Sequence, residues 1–159
     1  MAFIVKNRQT PYRVGSPVIR DWRHSRCAAY SPTAATVAKF TVSGGAILVH
    51  LMYGTIVTTL EATASNVSVT LNPTTGTTGT VASTAEGNGL VAGDHILIEG
   101  DGTAAIVAGA TKWFTLGGPA AFIADAGAIE VIHAAAQTGT LRWDLFWEPL
   151  DEEARVVAN

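Results

Sequence analysis

The sequence predicts a mainly β protein: an antiparallel β-sandwich or barrel-like body with an extended N-terminal arm and at most one short helix. Three observations predict it. From about residue 36, short apolar stretches are separated by clusters of Gly, Thr, Ser and Asn-Pro, as in strands joined by turns. Several stretches alternate between apolar and polar residues, as half-buried strands do. Residues 1–35 show neither period, and the 159 residues suffice for one domain with a single core.

Residues 1–35 are predicted to form a basic arm, because prolines impose extended or turn conformations along it. Residues 1–39 hold seven Lys or Arg against one acid, a net charge of +6, whereas residues 40–159 hold three against twelve acids, a net charge of −9. The arm also carries more large apolar side chains than water tolerates, so we expect it to dock on a partner or on the body. These side chains are Phe3, Ile4, Tyr12, Val18, Ile19, Trp22 and Tyr30.

Residues 36–159 are predicted to form the β-rich body. Strands are expected near residues 37–43, 46–58, 66–72, 78–83, 95–99, 104–107, 112–116, 128–134 and 139–147. The stretch AILVHLMYGTIV is apolar at both parities, which indicates a strand covered on both faces or a partly helical segment; its β-branched residues favour the strand. Trp143 and Trp147 alternate with polar residues and are expected to pack in the core.

Three connecting segments have their own signals. The Thr/Gly-rich segment near 73–88 predicts a long exposed hairpin. Residues 117–128 predict the short helix, with Pro119 near its first turn and Gly127 just past its end. After Pro149 we expect an acidic tail.

Motifs for catalysis or cofactor binding are weak. Residues 100–105 match the GxGxxA dinucleotide fingerprint after the strand HILIE, but β-branched and aromatic residues follow where a long helix is required, so a tight hairpin is favoured. The four histidines are dispersed without metal-ligand spacing, and a lone Cys27 excludes an internal disulfide. We therefore expect no enzyme activity, no cofactor and no metal, while an acid–base pair assembled from distant strands stays open.

The segment RDWRHSR, residues 20–26, mixes basic and aromatic side chains. Such side chains can contact phosphates and stack on bases, or they can bind acidic patches on a neighbouring subunit. Because the acidic body would repel a phosphate backbone, the sequence favours a protein partner over nucleic acid. The interface candidates are Arg8, Arg13, Arg20, Trp22, Arg23 and Arg26.

The chain start lacks the order of a secretory signal, and no apolar run is long enough for a transmembrane helix, so we expect a soluble product made in the cytoplasm, with no membrane partner.

The ending GTLRWDLFWEPLDEEARV, preceded by AIEVIHAAAQTG, and the phrase GLVAGDHILIEG resemble small virion proteins of tailed bacteriophages, over roughly residues 86–157. The resemblance is strongest to capsid decoration, or cement, proteins. It implies a β-rich homo-oligomer, commonly a trimer, that binds the major capsid protein or other virion subunits on the capsid surface. No site residue is carried over, since such proteins share no catalytic motif.

Two alternatives of a related kind stay open. The first is a tail-associated receptor- or carbohydrate-binding β module that uses the hairpin and an exposed aromatic side chain. The second is a tail-tube or connector subunit.

Overall fold

The computed structural model describes residues 22–62, 65–86, 89–98, 106–109 and 121–159. Eleven strands and no helix lie in these residues. The strands are β1 Arg23–Arg26, β2 Thr36–Ser43, β3 Ile47–Thr58, β4 Asn66–Pro73, β5 Gly79–Glu86, β6 His95–Ile98, β7 Ile106–Gly109, β8 Phe122–Ala124, β9 Gly127–His133, β10 Thr140–Pro149 and β11 Arg155–Ala158. No helix in the described part is long and apolar enough to cross a membrane.

The strands form two antiparallel sheets that pack face to face. Sheet A has the order β1-β10-β3-β6-β7, and β8 pairs with the first residues of β3 on the same side as β6. Sheet B has the order β11-β2-β9-β4-β5. The predicted mainly β, sandwich-like fold class is therefore confirmed.

The core lies between the sheets and is built from alternate residues of the central strands. In sheet A, Trp143 pairs with Gly54, and a Cβ added at Gly54 would lie 3.4 Å from the Trp143 ring. The missing side chain thus leaves room for the indole. Both Trp143 and Trp147 are buried in this core, as the sequence predicted.

Most predicted strands occur within two or three residues of their expected limits. The Thr/Gly-rich segment forms a hairpin, because β4 and β5 pair antiparallel and residues 74–80 at its tip are exposed. The strand expected near 112–116 lies outside the described residues.

The predicted short helix is wrong in its described part. Phe122–Ala124 form β8 and pair with Ile47–Val49 of β3, while residues 117–120 lie outside the described residues. The physical reason is that Phe and Ile favour strands and β3 offers backbone groups for pairing along this edge. The chain end also pairs: Arg155–Ala158 form β11 on sheet B instead of a free tail.

The described part of the predicted arm lies in the body. Arg23–Arg26 pair with β10, and Tyr30 exchanges two backbone hydrogen bonds of 2.9 Å with Leu141. Cys27, just after β1, is buried. The pairing supplies hydrogen-bond partners to the otherwise open edge of β10. Residues 1–21 lie outside the described residues.

Candidate interaction surface

The two sheets differ in the faces they turn away from the core. On sheet B the outward residues are mostly small and polar, as is usual for a sandwich face in contact with water. Examples are Thr41, Ser43, Ser68, Thr70 and Glu130. Such a polar face is stable in contact with water and does not by itself indicate a partner.

The outer face of sheet A carries aromatic and aliphatic side chains together with charged ones. Because directly paired residues share a face, the register defines rows across the sheet. The first row joins Glu148, Leu48 and Ile123, the second joins His24, Phe146 and Leu51, and the third joins Arg26, Asp144, Tyr53 and Leu97. This arrangement explains why the sequence of β3 is apolar at both parities: one set of side chains faces the core and the other faces outward.

Trp22 lies at the edge of this face. Its ring stacks on His50 with centroids 4.6 Å apart, and it is 51% exposed. His50 is the extra residue of a β-bulge, since Phe146 pairs with Leu51 but Trp147 pairs with Val49. The His50 Nε2 atom lies 3.3 Å from a Glu148 carboxylate oxygen. Trp22 is therefore held over the face while half of its surface stays in contact with solvent.

Asp144 is a fully buried carboxylate in the third row. Its Oδ1 atom accepts hydrogen bonds from His24 Nε2 and from Arg26 Nε, both at 2.6 Å. Arg142 Nε lies 3.8 Å from Oδ2, beyond hydrogen-bonding distance. Both Oδ2 and Arg142 Nε are buried without a hydrogen-bond partner. The Asp144 carboxylate raises the pKa of Arg26 through this hydrogen bond and through its charge. One buried carboxylate oxygen thus lacks a hydrogen-bond donor.

The structure separates the interface candidates into three groups. Arg8, Arg13 and Arg20 lie outside the described residues. Trp22 and Arg26 both lie on the outer face of sheet A, where Trp22 stacks on His50 and Arg26 binds Asp144. Arg23 instead lies at the sandwich edge, with its guanidinium carbon 5.2 Å from the centre of the Trp147 ring.

Sequence reasoning missed the partners of Trp22 and Arg26 on this face. The sequence analysis placed Asp144 and Phe146 in the strand near 139–147 without assigning them to a surface, and it placed Ile123 in the predicted helix. The apolar outward residues of β3 were the available signal, but their neighbours follow from the register.

A second polar cluster lies between the sheets. The Trp143 indole N–H donates to the Tyr30 hydroxyl at 2.9 Å, and the Tyr30 hydroxyl lies 2.8 Å from His133 Nε2. In the arrangement that satisfies the hydroxyl fully, it accepts from Trp143 and donates its own proton to Nε2, and the proton of neutral His133 is then on Nδ1. That buried Nδ1 has no hydrogen-bond partner. The Lys39 ammonium lies 3.0 Å from the centre of the Tyr30 ring, a cation–π contact.

Burial controls the ionisation of this cluster. Desolvation, aided by the Lys39 charge, lowers the pKa of His133 to about 4. Desolvation also lowers the pKa of Lys39 and raises the pKa values of Tyr30 and Cys27. Apart from His133 Nδ1, the polar groups of this cluster contact one another inside the sandwich, and these contacts fix how the two sheets and the segment after β1 pack.

Other motifs give no further site in the described ranges. No group of three or more His, Cys, Asp or Glu side chains there is arranged to hold a metal ion. The GxGxxA string lies outside these ranges, but β6 and β7 on either side of it pair antiparallel, whereas a dinucleotide-binding unit joins parallel strands. Comparisons with protein-family models, curated proteins and solved structures found no match to this chain.

Proposed function

We propose that this protein is a non-enzymatic structural subunit of a virion, a decoration or cement protein that binds and stabilises a phage head shell. It acts by binding alone, and its binding depends on the outer face of sheet A and the basic residues 1–21. The outer face of sheet A is the observation that carries the proposal.

That face has the composition of an interface core. Aromatic or aliphatic side chains occur in all three rows beside charged or polar residues, and three large apolar residues at one end are about half exposed or more: Trp22 at 51%, Leu150 at 48% and Ile123 at 58%. Aromatic residues and Arg are enriched where proteins bind one another. A protein partner that covers this end removes apolar surface from water.

Charge supports a protein partner. Residues 1–21 hold four Lys or Arg against one acid, a net charge of +3, whereas residues 22–159 hold six against twelve acids, a net charge of −6. A basic segment attached to an acidic body suits acidic protein surfaces. The resemblance of residues 86–157 to small phage virion proteins is the reason for proposing a phage head shell as the partner assembly.

The test is co-sedimentation of the purified chain with phage heads and, in parallel, with isolated tails. We expect binding to heads and its loss when residues 1–21 are removed. The deletion must end there because removing residues 1–30 would also remove β1 and the pairing of Tyr30 with Leu141. Urea unfolding of the shortened chain checks that the body still folds.

A matched set of charge variants refines this test. Replacing Arg8, Arg13 and Arg20 together by Ser should weaken head binding, whereas Arg155→Ser on edge strand β11 should not. Full head binding by the shortened chain would contradict the role of the basic segment. Binding to tails but not to heads would overturn the decoration assignment.

Trp22 favours a second candidate, a carbohydrate-binding module of a tail. An indole held flat against His50 with half its surface exposed is a platform on which a sugar ring can stack. A glycan array with hits that disappear in Trp22→Ala would favour this function. An array without hits would eliminate it.

A further inference from the structure

We propose that the outer face of sheet A binds residues 1–21 of a second copy of this chain, so that copies join into a closed cyclic oligomer. This inference rests on the proposed function and deepens it: a neighbouring copy is the partner that covers this face, and the closed ring of copies is the unit that binds the head shell. Four steps support it.

The first step is the chemistry of the face. Leu48, Leu51, Tyr53 and Phe146 keep part of their surface exposed, although they belong to the central strands of the sheet. Among them, Asp144 keeps a buried oxygen without a hydrogen-bond partner. The complementary ligand is an extended segment with apolar side chains and a guanidinium or ammonium donor, because an unpaired buried carboxylate oxygen is costly.

The second step is the composition of the chain itself. Residues 1–21 hold aliphatic and aromatic side chains interleaved with Lys6, Arg8, Arg13 and Arg20. This is the combination that the face requires, and every copy carries it. A basic segment and an acidic body of opposite net charge attract one another between copies.

The third step is the direction in which the chain enters the sheet. Arg23 pairs with Trp147 and Arg26 with Asp144, so the chain before Arg23 approaches from the end where β10 finishes at Pro149. Covering its own Asp144 would require residues 1–21 to reverse at that end. Reaching a neighbour requires no reversal, and 21 extended residues span up to about 70 Å. The rows from Leu48 to Thr55 cover only about 23 Å.

The fourth step is symmetry. A contact between the segment of one copy and the sheet face of the next joins two different surfaces. Such contacts are satisfied in every copy when the assembly closes on itself. The neighbouring copy would then lie next to three exposed side chains at the end of sheet A from which the segment departs: Trp22, Leu150 and Ile123.

Photo-cross-linking of the full chain tests which copy provides the segment. A benzophenone amino acid replaces Tyr12, and light-isotope and heavy-isotope copies are refolded together before irradiation. Mass spectrometry should find mixed-isotope cross-links between the residue 12 peptide and peptides of β3, β8 or β10. Cross-links confined to single-isotope pairs, cross-links to sheet B, or no cross-links to sheet A would each overturn the proposal.

Light scattering of the full chain with two matched variants tests the surface. Ile123→Asp places a charge on the outer face of sheet A, and Val157→Asp places one on the outer face of sheet B; both positions are 58% exposed on edge strands. We expect Ile123→Asp to raise the dissociation constant of the oligomer at least about tenfold, and Val157→Asp to leave it within about twofold. A monomeric full chain, or equal effects of the two variants, would overturn the proposal.

The two proposals fail in different experiments. A chain that is monomeric yet binds phage heads would overturn only the contact between copies. An oligomer cross-linked through sheet A that binds no heads would overturn only the decoration function.

Discussion

His133 gives the sharpest prediction about stability and pH. Its pKa is lowered from 6.5 to about 4 in the fold, so the native protein binds fewer protons than the unfolded chain between these values. The stabilisation is therefore present above pH 6.5 and is lost as the pH falls toward 4. At 1.36 kcal/mol per pKa unit the full effect is about 3 kcal/mol, of which about 2 kcal/mol is lost by pH 5.

Urea unfolding of the wild type and of His133→Gln across pH 5 to 8, followed by tryptophan fluorescence, measures this contribution. Gln keeps an acceptor for the Tyr30 hydroxyl but does not titrate. Other titrating groups contribute equally to both proteins, so the difference in unfolding free energy should shrink by about 2 kcal/mol from pH 8 to pH 5. A difference that stays constant within about 0.5 kcal/mol would refute the reasoning that burial and Lys39 keep His133 neutral.

Two further predictions use matched pairs in the same urea assay. Tyr30→Phe leaves the Trp143 N–H and a histidine nitrogen without partners inside the core, and it should lower the unfolding free energy by about 2–4 kcal/mol. Tyr53→Phe, on the partly exposed face, should lower it by under about 1 kcal/mol. Equal losses for the two variants would contradict the buried network. Gly139→Ala should cost over about 3 kcal/mol, because φ is +87° and the new Cβ would lie 2.3 Å from the Thr59 carbonyl oxygen. Gly89→Ala, with φ +64° and nothing within 4 Å of the Cβ, should cost about 1–2 kcal/mol, and a similar loss for both variants would refute the close contact.

Local signals predicted the regular strands well. Apolar and polar residues alternate along most of β4, over residues 129–131 of β9 and over residues 141–145 of β10, and one face of each strand packs in the core. Two segments failed for opposite reasons. Arg23–Arg26 carry no apolar alternation, and Phe122–Ala124 are flanked by Pro and Gly that resemble helix ends, yet both pair with strands far away in sequence. Such pairing is decided by open sheet edges, which local patterns do not contain.

The candidate surface was only half predictable. Trp22 and Arg26 were selected from their residue types, but Asp144, Phe146 and Ile123 join them through registers between strands more than twenty residues apart. The buried network of Tyr30, His133 and Trp143 depends on the same long-range registers.

The sequence by itself determined that the chain forms a mainly β body with an acidic surface and a basic N-terminal segment, because strand periodicity, turn residues and charge are local properties. Only the tertiary structure decided that β1 joins the sheet, that aromatic and aliphatic side chains gather on the outer face of sheet A, and that Asp144 lies buried there with one oxygen unpaired. These features depend on which strands become neighbours, and that choice is set by the packing of the whole core.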